Sequence, residues 1–400
     1  MSNLRDRLRR IQEQKSSISE ININKEQRTE SKEQRAGNIE QRTENNEQRA
    51  ESKRQKNAND GFDLSNLTNN GWETCGYNVL KRDVCLKSRF KTLKTLPYTL
   101  PVLIPDLKGK DFLSIEDFVF FDLETSGLST GSGTVAFLAA FGRIISNSLH
   151  ITQYLLLDFS GQNDFLENVL SQINNKSSII VTFNGKTFDS QILKTMCVMN
   201  RIIPPEYFHA DLLHPSRRLW KKIIHDCSQC SIETKILEID RTGDISGEFA
   251  PDIWFDFIKT GKTERLIQIC DHNIKDIFGL SSILNEMITI AKNPFNDKYR
   301  YDIERLALYW RKYSHSLEES NMNDQIIKTG SKLLKYAAEK ECPKAVYLYG
   351  YDQMRNKNYI ESLKFVNVGL KLFEKDSIWH KKLIRRKERL NKKIKPLEII

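Results

Sequence analysis

The sequence predicts an α/β domain followed by an all-helical C-terminal region. Three observations carry this expectation. Apolar stretches at 118–121, 134–145 and 149–158 follow one another with no helical pattern between them. From 162 onward, helical and strand patterns alternate. Beyond 293 the chain is polar and helical in period, with no further strand pattern.

Length and charge set the bounds. A chain of 400 residues has room for two or three domains and a sizeable core. Lys and Arg number 62 against 52 Asp and Glu, a net charge of +10, which suits an anionic partner such as nucleic acid. The seven cysteines show no framework spacing and read as free thiols of a reducing compartment. The longest apolar candidate, Val135 to Ile145, contains Gly142 and Arg143 and is too short for a bilayer. With no apolar signal core at the N-terminus, the expectation is a cytoplasmic protein without a membrane partner.

The elements follow in order. Residues 1–60 hold a heptapeptide repeat, with Glu-Gln-Arg recurring at 26, 33, 40 and 47. The repeat has no apolar seam, so a coiled coil has nothing to bury and disorder is expected. Residues 61–110 read as a small β lead-in, a strand pair beside the next domain, then a connector punctuated by Pro97, Pro101 and Pro105. Residues 111–292 hold the α/β domain. Its first strand ends at Asp122, and a glycine-rich loop, 127–133, follows. Strands at 134–145 and 149–158 are expected to pair antiparallel. A helix at 162–174, a strand at 178–183, a helix at 187–200 and a strand at 207–213 come next, and 230–292 is mainly helical. Three antiparallel strands and then alternating helix and strand is the order of a ribonuclease H-like fold. Residues 293–400 form the helical region, in which 345–372 fits one tetratricopeptide-like unit. Gly350, Ser362 and Gly369 fall where its helices must approach closely. Residues 381–395 carry nine basic residues and one acidic residue.

The chemistry begins in FVFFDLETSGL, 118–128. Side chains two apart on a strand share a face, so Asp122 and Glu124 project together from the end of a buried strand. Like charges at the edge of a core need neutralising, and a divalent cation with hard oxygen ligands does this. Asp189 lies at a strand-to-helix turn in NGKTFD, 184–189, and His272 and Asp276 share one helix face in HNIKD. Carboxylates holding two metal ions stabilise both the attacking and the leaving oxygen of a phosphodiester, and a nearby His accepts a proton from the water.

On these motifs the chain resembles the DEDD 3′–5′ exonuclease superfamily, and more narrowly the bacterial YprB-type ribonuclease H-like family. The resemblance covers about 115–290 and includes HADLLHPSRRLW at 209–220 and GDISGEFAPDIWFDF at 243–257. It implies Asp122, Glu124, Asp189 and Asp276 as ligands of two Mg²⁺ or Mn²⁺ ions. It also implies His272 as base, and DNA or RNA as substrate. The well-studied branches place a His five residues before the last Asp or a Tyr four before it. Here a His stands at the four-residue spacing. Thr125 and Asn184 are the candidate substrate contacts. Asp211 is read as structural or as an outer partner of the metals, and Arg217 and Arg218 as a phosphate contact or surface ion pairs. Cys227 and Cys230, with His225, lack a second pair for zinc. The rival expectation is a non-catalytic nucleic-acid-binding or scaffold protein, docking a protein partner through its C-terminal helices.

Overall fold

The computed structural model describes residues 63–90, 95–110, 113–127, 133–173, 178–296, 300–317 and 321–394. The heptapeptide segment and residues 128–132 of the glycine-rich loop lie outside the described residues.

A short helix, α1 (Ser65–Asn69), leads into the hairpin β1 (Glu73–Gly76) and β2 (Val79–Lys87), which turns through Asn78 at φ 51°. After the four-residue α2 (Leu100–Leu103) come β3 (Phe118–Thr125), β4 (Ala136–Ile145) and β5 (Ser148–Leu156). Helix and strand then alternate through α3 (Gln162–Ile173), β6 (Ile179–Thr182), α4 (Asp189–Met199) and β7 (Phe208–Asp211). Four helices close the α/β part: α5 (Leu213–Ile224), α6 (Gln229–Lys235), α7 (Ala250–Thr260) and α8 (Glu264–Lys292).

Among the described residues one seven-stranded sheet forms, in the order β1-β2-β5-β4-β3-β6-β7. Pairing is antiparallel from β1 to β3 and parallel from β3 to β7. This is the ribonuclease H-like arrangement that the element order implies. One expectation is corrected. The strand pair in 61–110 is not a small sheet beside the next domain. β2 pairs with β5 over nine residue positions, Val79 opposite Leu156 through Lys87 opposite Ser148, and so extends the same sheet. β5 would otherwise expose an unpaired edge, and β2 supplies the missing backbone partners.

β3 sits at the centre, and Phe118, Val119, Phe120 and Phe121 are all fully buried. A strand covered on both faces is apolar throughout, as here, until it reaches its end. The long helix α8 lies across β3, β4 and β5. On β4, a Cβ at Gly142 would come within 2.5 Å of Ile277 on α8, so helix and sheet meet at that glycine. This contact sets the HNIKD turn of α8 over the end of β3. Helix α7 is anchored by Trp254, which stacks on Phe137 and donates its indole N–H to the Leu156 carbonyl at 2.9 Å.

The C-terminal region is helical: α9 (Ile303–Ser314), α10 (Asn321–Glu339), α11 (Pro343–Arg355), α12 (Tyr359–Leu372) and α13 (Ile378–Ile394), each packed on the next. α9 packs on α2 and α5 and so joins the two regions. Lys222 of α5 bridges Asp302 at 3.2 Å and Glu304 at 3.0 Å. Glu304 also accepts the backbone N–H of Lys344 at 2.7 Å. The close approaches expected at small residues are present. Ser362 donates its hydroxyl to the Gly350 carbonyl at 2.7 Å, and a Cβ at Gly369 would lie 2.8 Å from Leu383. Among the described residues, no helix is long and apolar enough to cross a membrane.

Candidate metal centre

Asp122 and Glu124 leave the same face of β3 as it emerges from the core, toward α8. Asn273 of α8 donates to Asp122 at 2.7 Å. His272 and Asp276 lie on the same helix, four residues apart, and their side chains meet, Nε2 to Oδ2 at 3.2 Å. Ligand-type atoms of Glu124, His272 and Asp276 lie within 4.8 Å of one another.

Asp189 arrives from the other side. It is the first residue of α4 and is 5 % exposed. The turn before it is tightly held. Asn184 takes the left-handed conformation at φ 70°. A Cβ on Gly185 would lie 2.5 Å from Thr182 Oγ1 and 2.7 Å from Asp189 Oδ2, so only glycine fits between them. Asp211 accepts the backbone N–H groups of Asn184 at 2.9 Å and Lys186 at 3.1 Å. It also accepts the N–H of Leu213 at 2.9 Å. Asp211 therefore organises the loop, in keeping with a structural role.

Of the four expected carboxylates, Glu124 and Asp276 come together with His272, and Asp122 and Asp189 are felt there through their charge. Burial pushes Asp122 well above the usual carboxylate range, and Asp276 and Asp189 push it further. Glu124 is raised in the same way, by burial and then by Asp122, Asp276 and Asp189. Asp189 is raised to about 7 by burial and by Asp211. Four hard oxygen donors, partly deprived of water and repelling one another, suit a divalent cation. Glu124, His272 and Asp276 are the side chains whose ligand atoms come together, while Asp122 and Asp189 act on Glu124 through their charge.

His272 is surrounded by acids. Its Nδ1 lies 3.0 Å from Asp244 Oδ2 and its Nε2 faces Asp276. Burial works against the imidazolium, but Asp276 and Asp244 outweigh it and raise His272 to about 9. At neutral pH it is therefore a proton donor to both carboxylates. It acts as a base only where that field is relieved.

Several participants are not singled out as site residues by the sequence, although Asp244 and Gly247 lie within the stretch 243–257 that carries the resemblance. Asp244 sits in the GDISGEF stretch and accepts from His272, from Lys275 at 2.9 Å and from Arg241 at 2.7 Å. Arg241 also donates to Glu233 and Asp276, both at 2.5 Å. Burial opposes its charge, but these carboxylates hold it firmly. Gly247 closes the site from the loop ahead of α7: a Cβ there would lie 3.1 Å from His272 Nε2 and 3.8 Å from Glu124 Oε2. Behind Asp122, Asn273 accepts from Gln153 at 2.8 Å, and the Gln153 carbonyl oxygen accepts from Arg82 of β2 at 2.9 Å. Arg82 in turn pairs with Asp271 at 3.0 Å and lies over Trp72.

The remaining candidates divide. Thr125 is buried and donates to the Gly127 carbonyl at 2.7 Å, while Asn184 accepts from Thr187 at 2.9 Å and lines a cavity that none of the cluster's side chains lines. All seven thiols are free. Cys227 is buried and Cys230 exposed, and no Cys-based ligand group forms among the described residues.

Sequence comparison agrees with this geometry. Residues 119–288 match the RNase_H superfamily, a span that contains every carboxylate of the cluster. The fold and this match make this part of the chain similar to the RNase H superfamily. Among known proteins, the chain is 32 % identical over 223 residues to the uncharacterized protein YprB of Bacillus subtilis (strain 168). That similarity takes in 55 % of this chain and 52 % of the relative, so it spans about half of each.

Proposed function

We propose that the protein is a metal-dependent 3′–5′ exonuclease that hydrolyses phosphodiester bonds of DNA or RNA. The observation that supports this reading is the meeting of Glu124 from β3 with His272 and Asp276 from α8, with the charges of Asp122 and Asp189 acting on the same place. When bound there, a pair of Mg²⁺ or Mn²⁺ ions supplies a lowered pKa for the attacking water and charge stabilisation for the leaving oxygen. The chain's own residues do the rest. The four carboxylates fix the geometry, and Asn273 holds Asp122 in its rotamer. His272 would accept a proton only once the acidic field of Asp276 is relieved, and Asp244 fixes its ring through Nδ1. The loop carrying Gly247 passes close to His272 and Glu124.

The test uses purified protein, Mn²⁺ and 5′-labelled DNA and RNA oligonucleotides. The expected product is a ladder shortening from the 3′ end, reduced at least 10²-fold, in order of magnitude, by Asp122→Asn. Undiminished activity in that variant removes the reading.

One observation favours the rival scaffold role: both oxygens of Asp276 are engaged, one by Arg241 and one by His272. A cation must compete with them. Millimolar Mn²⁺ raises the melting temperature if the cluster binds it, since any ligand of the native state stabilises it. Absence of a shift would favour the scaffold.

A further inference from the structure

We propose that the exposed face of α5, continued by Arg305 of α9, is the track on which the sugar-phosphate backbone of a nucleic-acid strand lies. The proposal rests on the nuclease reading only for where that strand leads.

Helix α5, LHPSRRLWKKII, contains no acidic residue. Leu219, Trp220 and Ile224 are buried against the domain, which turns the basic residues outward. His214, Arg217, Arg218 and Lys221 stand at i, i+3, i+4 and i+7 and therefore share one face. Lys222, off that face, is neutralised by Asp302 and Glu304. Among the described residues, no carboxylate forms an ion pair with Arg217 or Lys221, and both are exposed. Arg218 lies 4.8 Å over the ring of Tyr309, yet its Nη1 is buried with no hydrogen-bond partner. A row of cations without internal partners is a self-repelling arrangement that an anion relieves.

The surface around these residues is concave. A cavity of about 710 Å³ has Asn184 and Thr187 on one wall and His214, Arg217 and Lys221 on the other. A second, of about 250 Å³, shares those three basic residues and adds Arg305 and Tyr309. Shared walls make one continuous groove. Two of its lining residues are tied to the elements that carry the candidate metal centre. Asn184 begins the turn that delivers Asp189. Gln229, on the same wall, donates to the Asp276 carbonyl at 2.8 Å. Asp226, also on that wall, is occupied by the hydroxyls of Ser228 and Ser231. Tyr309, 37 % exposed, offers a ring against which a base can stack. Such contacts to phosphate are independent of sequence and weaken with salt.

The experiment measures binding rather than cleavage. Full-length protein in EDTA is titrated into fluorescein-labelled 15-nucleotide single-stranded DNA and RNA, and anisotropy is read across a salt series. The double variant Arg217→Gln/Lys221→Gln is compared with wild type and with Lys371→Gln/Lys375→Gln, which carries the same charge change at the end of α12 and in the turn after it. The expected result is a weakening of about tenfold, with the log–log salt slope reduced by about 1.4, from about 0.7 per lost contact to a single strand. The control stays within about twofold of wild type. The melting temperature of the double variant matches wild type, and its Mn²⁺-dependent cleavage of bis-p-nitrophenyl phosphate persists. Equal affinity and slope in the double variant, or no binding of either oligonucleotide by wild type, overturns the proposal. Because binding is read without metal, a chain with no nuclease activity still answers the question. Failure of the nuclease reading is seen separately, in the small diester.

Discussion

His272 keeps its proton because a carboxylate faces each ring nitrogen. That fact has a thermodynamic consequence. A group whose folded pKa is raised contributes stability below its unfolded pKa and loses it as pH rises through the folded value. Asp189, raised to about 7, and His272, raised to about 9, both follow this rule. In EDTA, the melting temperature should therefore fall as pH rises from about 4 to about 7, and fall further toward about 9. Saturating Mn²⁺ should flatten the first part of that decline. A pH series of thermal melts with and without metal checks both statements. For the same reason, Asp122→Asn should melt higher than wild type in EDTA while losing activity, because it removes one charge from a repelling set. At Gly247, substitution by Val would intrude on His272 Nε2. Cleavage should drop far more than stability, as kinetic assays beside a melting curve would show.

Between elements, the chain of contacts Arg82–Gln153–Asn273–Asp122 links β2, next to the sheet's edge, to β3 through β5 and α8. Gln153 is completely buried, and so is Asn273. Replacing Gln153 with Leu strands a donor of Arg82 and an acceptor of Asn273, at a cost of about 1–3 kcal/mol for each buried group left unpaired. Denaturant unfolding measures that loss, and a weaker apparent Mn²⁺ affinity should accompany it. This linkage also marks where sequence reading stops. The strand β3, the helix pair His272 and Asp276, and the turn before Asp189 were legible because each is a local pattern: an apolar run ending in acids, a four-residue spacing, a Gly-containing turn. Gln153 lies in QYLLL and looks like any polar residue on a half-exposed strand; its partner Asn273 is 120 positions away. Arg241 and Asp244 lie in a loop with no periodicity, so their approach to Asp276 and His272 is fixed only by where α6 and α7 dock.

At the scale of the molecule, the C-terminal helices carry their own internal order. Arg386 of α13 is buried, donates to the Tyr347 carbonyl at 2.7 Å and lies over the rings of Tyr347 and Tyr351. Arg386→Ala should lower stability by about 1–3 kcal/mol through that lost contact and packing. Nuclease activity should be unchanged at temperatures below the new transition. Paired unfolding and activity assays distinguish this from a shared failure of both regions. The helical region was legible as helices from composition and period. The membership of β2 in the main sheet was not, because a strand's partner is chosen by a register formed far along the chain.

That membership makes the family-matched span, 119–288, an incomplete physical object. A chain trimmed to begin at 111 would turn β5 from an interior strand into a border. It would bare the backbone groups that β2 now occupies along nine positions. Such a border is a template for another copy of itself. The trimmed protein should elute as oligomers or precipitate, and the smallest soluble unit with an intact cluster should begin before Trp72, whose ring supports Arg82 at the far end of the line to Asp122.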